Sequence, residues 1–146
     1  MFEAFSNYSD FSGRAGRSEY WLFQLLNMMV IAFSLAILFA GAGGASLEDF
    51  QHAGAASGAF MFGAVLLVFW LLISFIPNIA VTVRRFHDHN ISGWWYVGLT
   101  VFGFIPYIGF LASLGMLWVL VRGGTWGPNN YGPDPINPWR GNTTFA

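Results

Sequence analysis

Three long stretches without a charged residue dominate this sequence, at 21–40, 59–83 and 94–121. A helix of about 20 residues is roughly 30 Å long, which matches the hydrocarbon core of a bilayer. Charged residues make up only 9% of the chain, against roughly 25% in an average soluble domain. So few charges cannot cover a water-exposed surface. The sequence therefore predicts an all-α integral membrane protein.

The third apolar stretch, 94–121, is the hardest to assign. It is too long for one straight span and too short for two spans of about 20 residues each. Pro106 breaks it near the middle, and Gly103 weakens the helix just before. Two arrangements fit: one kinked, tilted span, or a re-entrant hairpin that returns to the side it entered and gives four short helices.

We expect a single membrane domain with an interfacial N-terminal arm ahead of the first span. The turn-forming residues after the third stretch predict structured turns, and the last residues should fray. The predicted organisation is one domain over 1–146, spans at about 21–40, 59–83 and 94–121, a turn-rich tail at 122–135 and a frayed end at 136–146.

The arginines predict the orientation of the first two spans. Arg14 and Arg17 precede the first span, Arg84 and Arg85 follow the second, and the 41–58 linker has neither arginine nor lysine. Because basic residues favour cytoplasmic loops, the N-terminus should be cytoplasmic. The tail should lie outside if the third segment crosses once, and inside if it returns.

Charge and cysteine content limit the chemistry. The net charge is −1, which gives no indication of a nucleic-acid partner. The chain has no cysteine, which excludes disulfides, thiolate catalysis and cysteine-ligated metals. The densest charge lies in the connector after the second span, where His87, Asp88 and His89 follow two arginines.

Pairing of these charges at the cytoplasmic face is the main hypothesis. Charges at a membrane boundary are stabilised by partners or by contact with water. We expect Glu19 and Asp88 to accept bidentate hydrogen bonds from two of the four arginines, and Asp88 could also pair with Arg85 along a helix. Trp94 should anchor the connector in the interface. The charged members of this network are Arg14, Arg17, Glu19, Arg84, Arg85 and Asp88.

The two histidines of the connector are weak metal candidates. A His-x-His sequence with a carboxylate supplies zinc-type ligands. Neighbouring residues on a helix point about 100° apart, however, and the remaining histidine, His52, is predicted on the other face. We expect interfacial histidines and no metal or other cofactor, with His87 and His89 as the weak candidates.

Three sequence blocks carry a family resemblance. They are Phe11-Ser-Gly-Arg-Ala-Gly-Arg-Ser-Glu-Tyr-Trp21, then Arg84-Arg-Phe-His-Asp88 with Ser92-Gly-Trp-Trp95, then Gly127-Pro-Asn-Asn-Tyr-Gly-Pro-Asp-Pro135. In order and spacing the chain resembles the YhaH-like small inner-membrane proteins of bacteria, catalogued as domain of unknown function 805. The resemblance implies a multi-pass bacterial inner-membrane protein without an established activity. The chain departs from the family pattern at two positions. Family members often have a basic residue near the position of Ile91, and they commonly have an arginine at the position of Asn130.

The wider network candidates also include His87 and, from the third block, Asn129, Tyr131 and Asp134. Whether the third block joins the charged network stays open. We expect a non-enzymatic scaffold or interaction protein. The alternative is a lipid- or small-solute-handling, transporter-like protein that is oligomeric and binds anionic groups at the same face. Expected partners are the lipid bilayer, anionic lipid headgroups, and a second copy or another membrane protein.

Overall fold

The computed structural model describes residues 8–42 and 58–137, and these residues form four helices. The helices are α1 (Arg17–Gly41), α2 (Gly58–Asp88), α3 (Trp94–Gly103) and α4 (Ile108–Val121). Within the described ranges there is no strand, and the tail has one isolated antiparallel bridge between Asn129 and Gly132. The predicted all-α class is confirmed.

Helices α1 and α2 are long and apolar enough to cross a membrane. With 25 and 31 residues they measure about 37 and 46 Å. Large apolar side chains along both, such as Phe33 and Phe69, are exposed at the protein surface. Such a surface is unfavourable in water and suits contact with lipid tails. Helix α2 continues through Pro77 to Asp88, five residues beyond the predicted end of the second apolar stretch.

The third apolar stretch folds as a helical hairpin. Helices α3 and α4 pack against each other, and they are only 10 and 14 residues long, or about 15 and 21 Å. They approach closely where Gly109 faces Gly103, since a Cβ at Gly109 would overlap the Gly103 carbonyl group. The third stretch is therefore two packed short helices and not one kinked helix. The return of this hairpin to the side of the membrane it entered stays a prediction.

The tip of the hairpin is a tight turn at Pro106 and Tyr107. Ile108 N–H donates to the Pro106 carbonyl oxygen at 2.8 Å, and Tyr107 has φ 65°. This is the strained form of the three-residue γ-turn. It reverses the chain at the position where the sequence interrupts the apolar pattern.

The last turn of α2 ends in a Schellman motif. Ile91 N–H donates to the Phe86 carbonyl, and Asn90 N–H donates to the His87 carbonyl. Asn90 has φ 58°, the left-handed conformation that asparagine tolerates better than most residues. The motif ends the helix at Asp88 and turns the chain into α3, so the charged residues occupy the final turn.

The chain divides into two compact units, Met1–Phe23 with Ile76–Ala146, and Gln24–Phe75. In the second unit, Asn27 Oδ1 accepts a hydrogen bond from Trp70 Nε1 at 3.1 Å, which satisfies two polar groups on apolar helices. The first unit contains the hairpin, the tail and the arginine, aspartate and glutamate residues of the predicted network. Its buried apolar cluster consists of Ala15, Tyr20, Phe23, Val81 and Leu120, with Met116 packed against it.

The N-terminal arm is described from residue 8. Residues 8–16 form turns and irregular backbone ahead of α1, and Ala15 N–H donates to the Arg84 carbonyl at 3.1 Å. The arm is thereby joined to the end of α2. The first seven residues, most of the 41–58 linker and the predicted frayed end beyond residue 137 lie outside the described residues.

Candidate functional site

The site is built around Asp88, which pairs with two arginines. Nε and Nη2 of Arg14 lie 2.9 and 2.8 Å from Asp88 Oδ1, and Arg85 Nη1 contacts Oδ2. The three side chains are 1% (Arg14), 0% (Arg85) and 5% (Asp88) exposed. Because these charges are largely removed from water, their mutual attraction must offset a large desolvation cost.

The remaining donors of the two guanidinium groups bind the backbone of the tail. Arg14 donates to the carbonyl oxygens of Gly127 and Thr125 at 2.5 and 2.6 Å, and Arg85 Nη2 donates to the Arg122 carbonyl. The five-donor fork of arginine allows one side chain to bind a carboxylate and two carbonyls together. Arg14 therefore links the N-terminal arm to the tail.

The tail in turn binds the end of α2. Thr125 donates to the Asp88 carbonyl oxygen through both its N–H and its Oγ1, at 2.8 and 3.0 Å. Gly124 lies against the Asp88 carboxylate so closely that a Cβ at this position would overlap it. Position 124 therefore requires glycine for steric reasons.

A second ion pair lies beside the first. Arg84 Nη2 is 3.0 Å from Glu19 Oε1, with the two side chains 4% and 13% exposed. Glu19 lies in the first turn of α1, where a carboxylate also interacts favourably with the helix dipole. This pair ties the start of α1 to the end of α2.

His87 connects all three sequence blocks. Its Nδ1 is 3.2 Å from the Gly13 carbonyl oxygen, and its ring stacks on Tyr131 with centroids 3.9 Å apart and planes 5° from parallel. Asn129 Nδ2 donates to the His87 carbonyl at 2.9 Å and to Thr125 Oγ1 at 3.0 Å. The histidine side chain thus packs between the arm and the tail.

Asp134 organises the tail from within. Its Oδ2 accepts from Gly127 N–H at 3.2 Å and its Oδ1 from Ile136 N–H at 2.9 Å. The hydrogen bond from Ile136, helped by those from the Gly127 and Asn137 backbones and by the Arg14 charge, lowers the pKa of the Asp134 carboxyl from 3.8. The group is therefore a carboxylate at neutral pH.

His89 has different neighbours from His87. Its ring lies 6.2 Å from that of Trp118, and burial, followed by the charge of Arg85, lowers its pKa from 6.5. Among residues 8–42 and 58–137, no group of three or more histidine, cysteine or acidic side chains is placed to hold a metal ion.

An open cavity of about 110 Å³ lies next to the Asp88 cluster. Arg17 and Asp134 line it, as do the buried pair Arg14 and Asp88 and the tail residues from Gly123 to Trp126. Arg17 is exposed. It is the first residue of α1, and no ion pair joins it to another described residue. A polar ligand could thus reach charged groups of both signs here.

The structure brings most of the candidate residues together. The contacts described above connect nine of them: Arg14, Glu19, Arg84, Arg85, His87, Asp88, Asn129, Tyr131 and Asp134. Arg17 lines the cavity without an ion pair to the described residues, and Trp94 is 79% exposed and outside the network. The predicted bidentate geometry is wrong at Asp88, because both Arg14 donors bind one oxygen and leave the other for Arg85.

Sequence reasoning missed the tail residues that close the site. Thr125 donates its hydroxyl to the Asp88 carbonyl, and Gly127 offers its carbonyl oxygen to Arg14. Gly124 lets the backbone lie directly against the Asp88 carboxylate. A threonine among glycines is common in turns of many kinds, so it does not indicate a site. A backbone carbonyl is present in every residue, so the sequence cannot show which carbonyls accept hydrogen bonds. The dense turn formers from 123 to 128 were the available signal.

Apolar helices of spanning length, a short helical hairpin and a buried arginine–aspartate cluster define a small helical membrane protein. More specifically, the chain belongs to the family described as "Protein of unknown function (DUF805)", which matches residues 8–133. It is 35% identical over 132 residues to inner membrane protein YhaI of Escherichia coli K12, covering 88% of each chain. It is also 35% identical over 129 residues to inner membrane protein YhaH of the same strain, covering 88% of this chain and 89% of YhaH.

No solved structure matches this chain. The family and its inner-membrane relatives establish an inner-membrane protein in a lipid bilayer, as the sequence predicted. They assign no specific activity. The function therefore has to be argued from the site itself.

Proposed function

We propose that this protein is a small non-enzymatic scaffold, in which the Asp88 cluster fixes a platform at the cytoplasmic face. The observation that carries the proposal is that one buried carboxylate binds Arg14 of the arm and Arg85 of α2. Their other donors bind the tail. The cluster binds its own chain through these charges, which is what a structural role requires.

The proposed topology is multi-pass with a cytoplasmic N-terminus. Basic residues at 14, 17, 84 and 85 support this orientation under the positive-inside rule. Helices α3 and α4 are about 15 and 21 Å long, shorter than the roughly 30 Å hydrocarbon core. The hairpin would therefore enter the bilayer and return, so that arm, connector and tail share the cytoplasmic face.

In-cell photocrosslinking tests the scaffold role. Trp126, which is 84% exposed in the tail, is replaced by a photoreactive amino acid, and adducts are compared with those from Phe104, equally exposed at the hairpin turn. A scaffold should give a discrete protein adduct from position 126 that disappears in the Asp88→Asn background at equal protein level. Identical adducts with and without Asp88 would contradict the proposal.

Headgroup binding is a second candidate function, and the cavity favours it. Arg17 is exposed on the cavity wall at the first residue of a proposed membrane span, where lipid phosphates lie. Free guanidinium donors suit phosphate oxygens. Thermal unfolding of the purified protein with and without added phospholipid tests this role, and it would be contradicted by the absence of any shift.

A further inference from the structure

The charges around the cavity specify what kind of headgroup it would take. Arg14 and Asp88 are already paired, and the other Arg14 donors bind the tail. These two groups form a neutral pair that holds the cavity wall together, and the remaining positive charge of the cluster belongs to Arg85, which does not line the cavity. Two charged groups of the wall remain, Arg17 and Asp134.

Arg17 and Asp134 have opposite charge, and neither forms an ion pair with another described residue. Asp134 is 7% exposed, and two backbone N–H groups hold its oxygens in place. A simple anion in this cavity would be attracted by Arg17 and repelled by Asp134, and a simple cation would experience the reverse. A molecule with both charges satisfies both residues.

We propose that the cavity binds the headgroup of a zwitterionic aminophospholipid, with its phosphate on Arg17 and its ammonium group on Asp134. The inference rests on headgroup binding as the second proposed function and refines it, since the sequence alone predicted anionic headgroups. The source could also be a soluble phosphoethanolamine compound, which presents the same two charges without acyl chains.

Size and position agree with a lipid headgroup. A volume of about 110 Å³ is far above the roughly 10–15 Å³ that one water molecule needs. Trp126 lines the cavity and stays 84% exposed, as expected for an aromatic side chain at the headgroup level. The first turn of α1, which begins at Arg17, adds the positive end of a helix dipole on the phosphate side.

Lipid binding by the purified full-length chain tests the proposal. Native mass spectrometry in detergent gives apparent dissociation constants for short-chain phosphatidylethanolamine, phosphatidylglycerol with the same chains, and chainless glycerophosphoethanolamine. We expect phosphatidylethanolamine to bind at least about tenfold more tightly than phosphatidylglycerol, since one charge-assisted contact is at stake. The chainless compound should compete weakly.

Variants assign the two charges. Arg17→Gln should weaken phosphatidylethanolamine binding about tenfold, whereas Arg122→Gln, which removes the same charge from an exposed arginine outside the cavity, should leave it unchanged. Asp134→Asn should remove the preference for phosphatidylethanolamine over phosphatidylglycerol. Because Asp134 also supports the tail, Arg17→Glu provides a second variant. It should reduce the binding of both lipids, and it removes no side-chain hydrogen bond or ion pair to another described residue.

The outcomes separate this inference from the function on which it rests. If phosphatidylglycerol bound more tightly than phosphatidylethanolamine and its binding depended on Arg17, the preference for a zwitterionic headgroup would be refuted and headgroup binding would be retained. Chainless glycerophosphoethanolamine binding as tightly as the lipid would overturn the lipid assignment. Equal affinities in Arg17→Gln and Arg122→Gln, or no binding of any probe, would overturn both.

Discussion

Asp88 contacts three segments of the chain: the N-terminal arm through Arg14, helix α2 through Arg85, and the tail through Thr125. A buried carboxylate between two guanidinium groups leaves one net positive charge, which carbonyl oxygens of Arg122, Thr125 and Gly127 help to stabilise. Arginine suits this position because its planar fork reaches several acceptors at once, which the point charge of lysine cannot do.

Removing the Asp88 charge should therefore destabilise the protein strongly. We expect Asp88→Asn to lower the free energy of unfolding by about 3–5 kcal/mol, the usual cost of leaving a buried charge unpaired. The measurement is unfolding in mixed micelles by added dodecyl sulfate, followed by circular dichroism. Glu19→Gln is the control, with a smaller expected loss, because Glu19 pairs with Arg84 and is 13% exposed. Equal losses in the two variants would contradict the central role of Asp88.

His89 should make stability depend on pH. Burial lowers its folded-state pKa below 6.5, so the folded protein favours the neutral ring while the unfolded chain protonates first. The stabilisation is complete above about pH 6.5 and is lost as the pH falls through the folded-state pKa. Arg85 and Asp88 act on this ring through their charges, and Val119 and Arg122 act through backbone hydrogen bonds. Thermal midpoints measured between pH 8 and 5 should fall less steeply in His89→Gln than in the wild type, and parallel curves would refute this.

Among the elements, the hairpin of α3 and α4 brings two backbone segments into close contact. Gly109 faces the backbone of Gly103, and a Cβ there has no room. Gly115, on the same helix α4, has nothing within 4 Å of the equivalent position. The two glycines therefore form a matched pair on one helix.

We expect Gly109→Ala to destabilise the protein by about 1–3 kcal/mol, because the added methyl group forces the two helices apart. Gly115→Ala should be neutral or slightly stabilising, since alanine is the better helix former. Dodecyl sulfate unfolding curves of the two variants provide the comparison. The close approach would be refuted if Gly109→Ala were as stable as Gly115→Ala.

The hairpin also shows how far the sequence could predict this fold. Apolar length identified the helices, and Pro106 located the break, but proline fits a kink as well as a reversal. What decides between them is the contact of Gly109 with Gly103 and the return of the tail to Asp88. In the site, the sequence predicted an Arg/Asp/Glu network between the first two blocks and left open whether the third block joins it. It could not predict that Asp88 binds both Arg14 and Arg85, because four arginines and two carboxylates allow several pairings of similar energy.

In the whole molecule, the unit that holds the site contains segments from both ends of the chain. The arm reaches the tail through Arg14 and through the Gly13–His87–Tyr131 contacts. If this unit forms in the membrane, both segments must lie on the same side of the bilayer. The 41–58 linker, which has no basic residue, should lie on the other side.

The absence of cysteine from the chain allows this to be tested with single-cysteine variants and no background. We expect Ser9→Cys and Trp126→Cys, both at exposed positions, to be shielded from a membrane-impermeant maleimide in intact cells and labelled in inverted vesicles. Glu48→Cys, in the linker, should show the opposite pattern. Positions 9 and 126 labelled from opposite sides would mean that the Arg14–Asp88 cluster does not form in the membrane, whereas labelling of both from outside would preserve the cluster and reverse the proposed orientation.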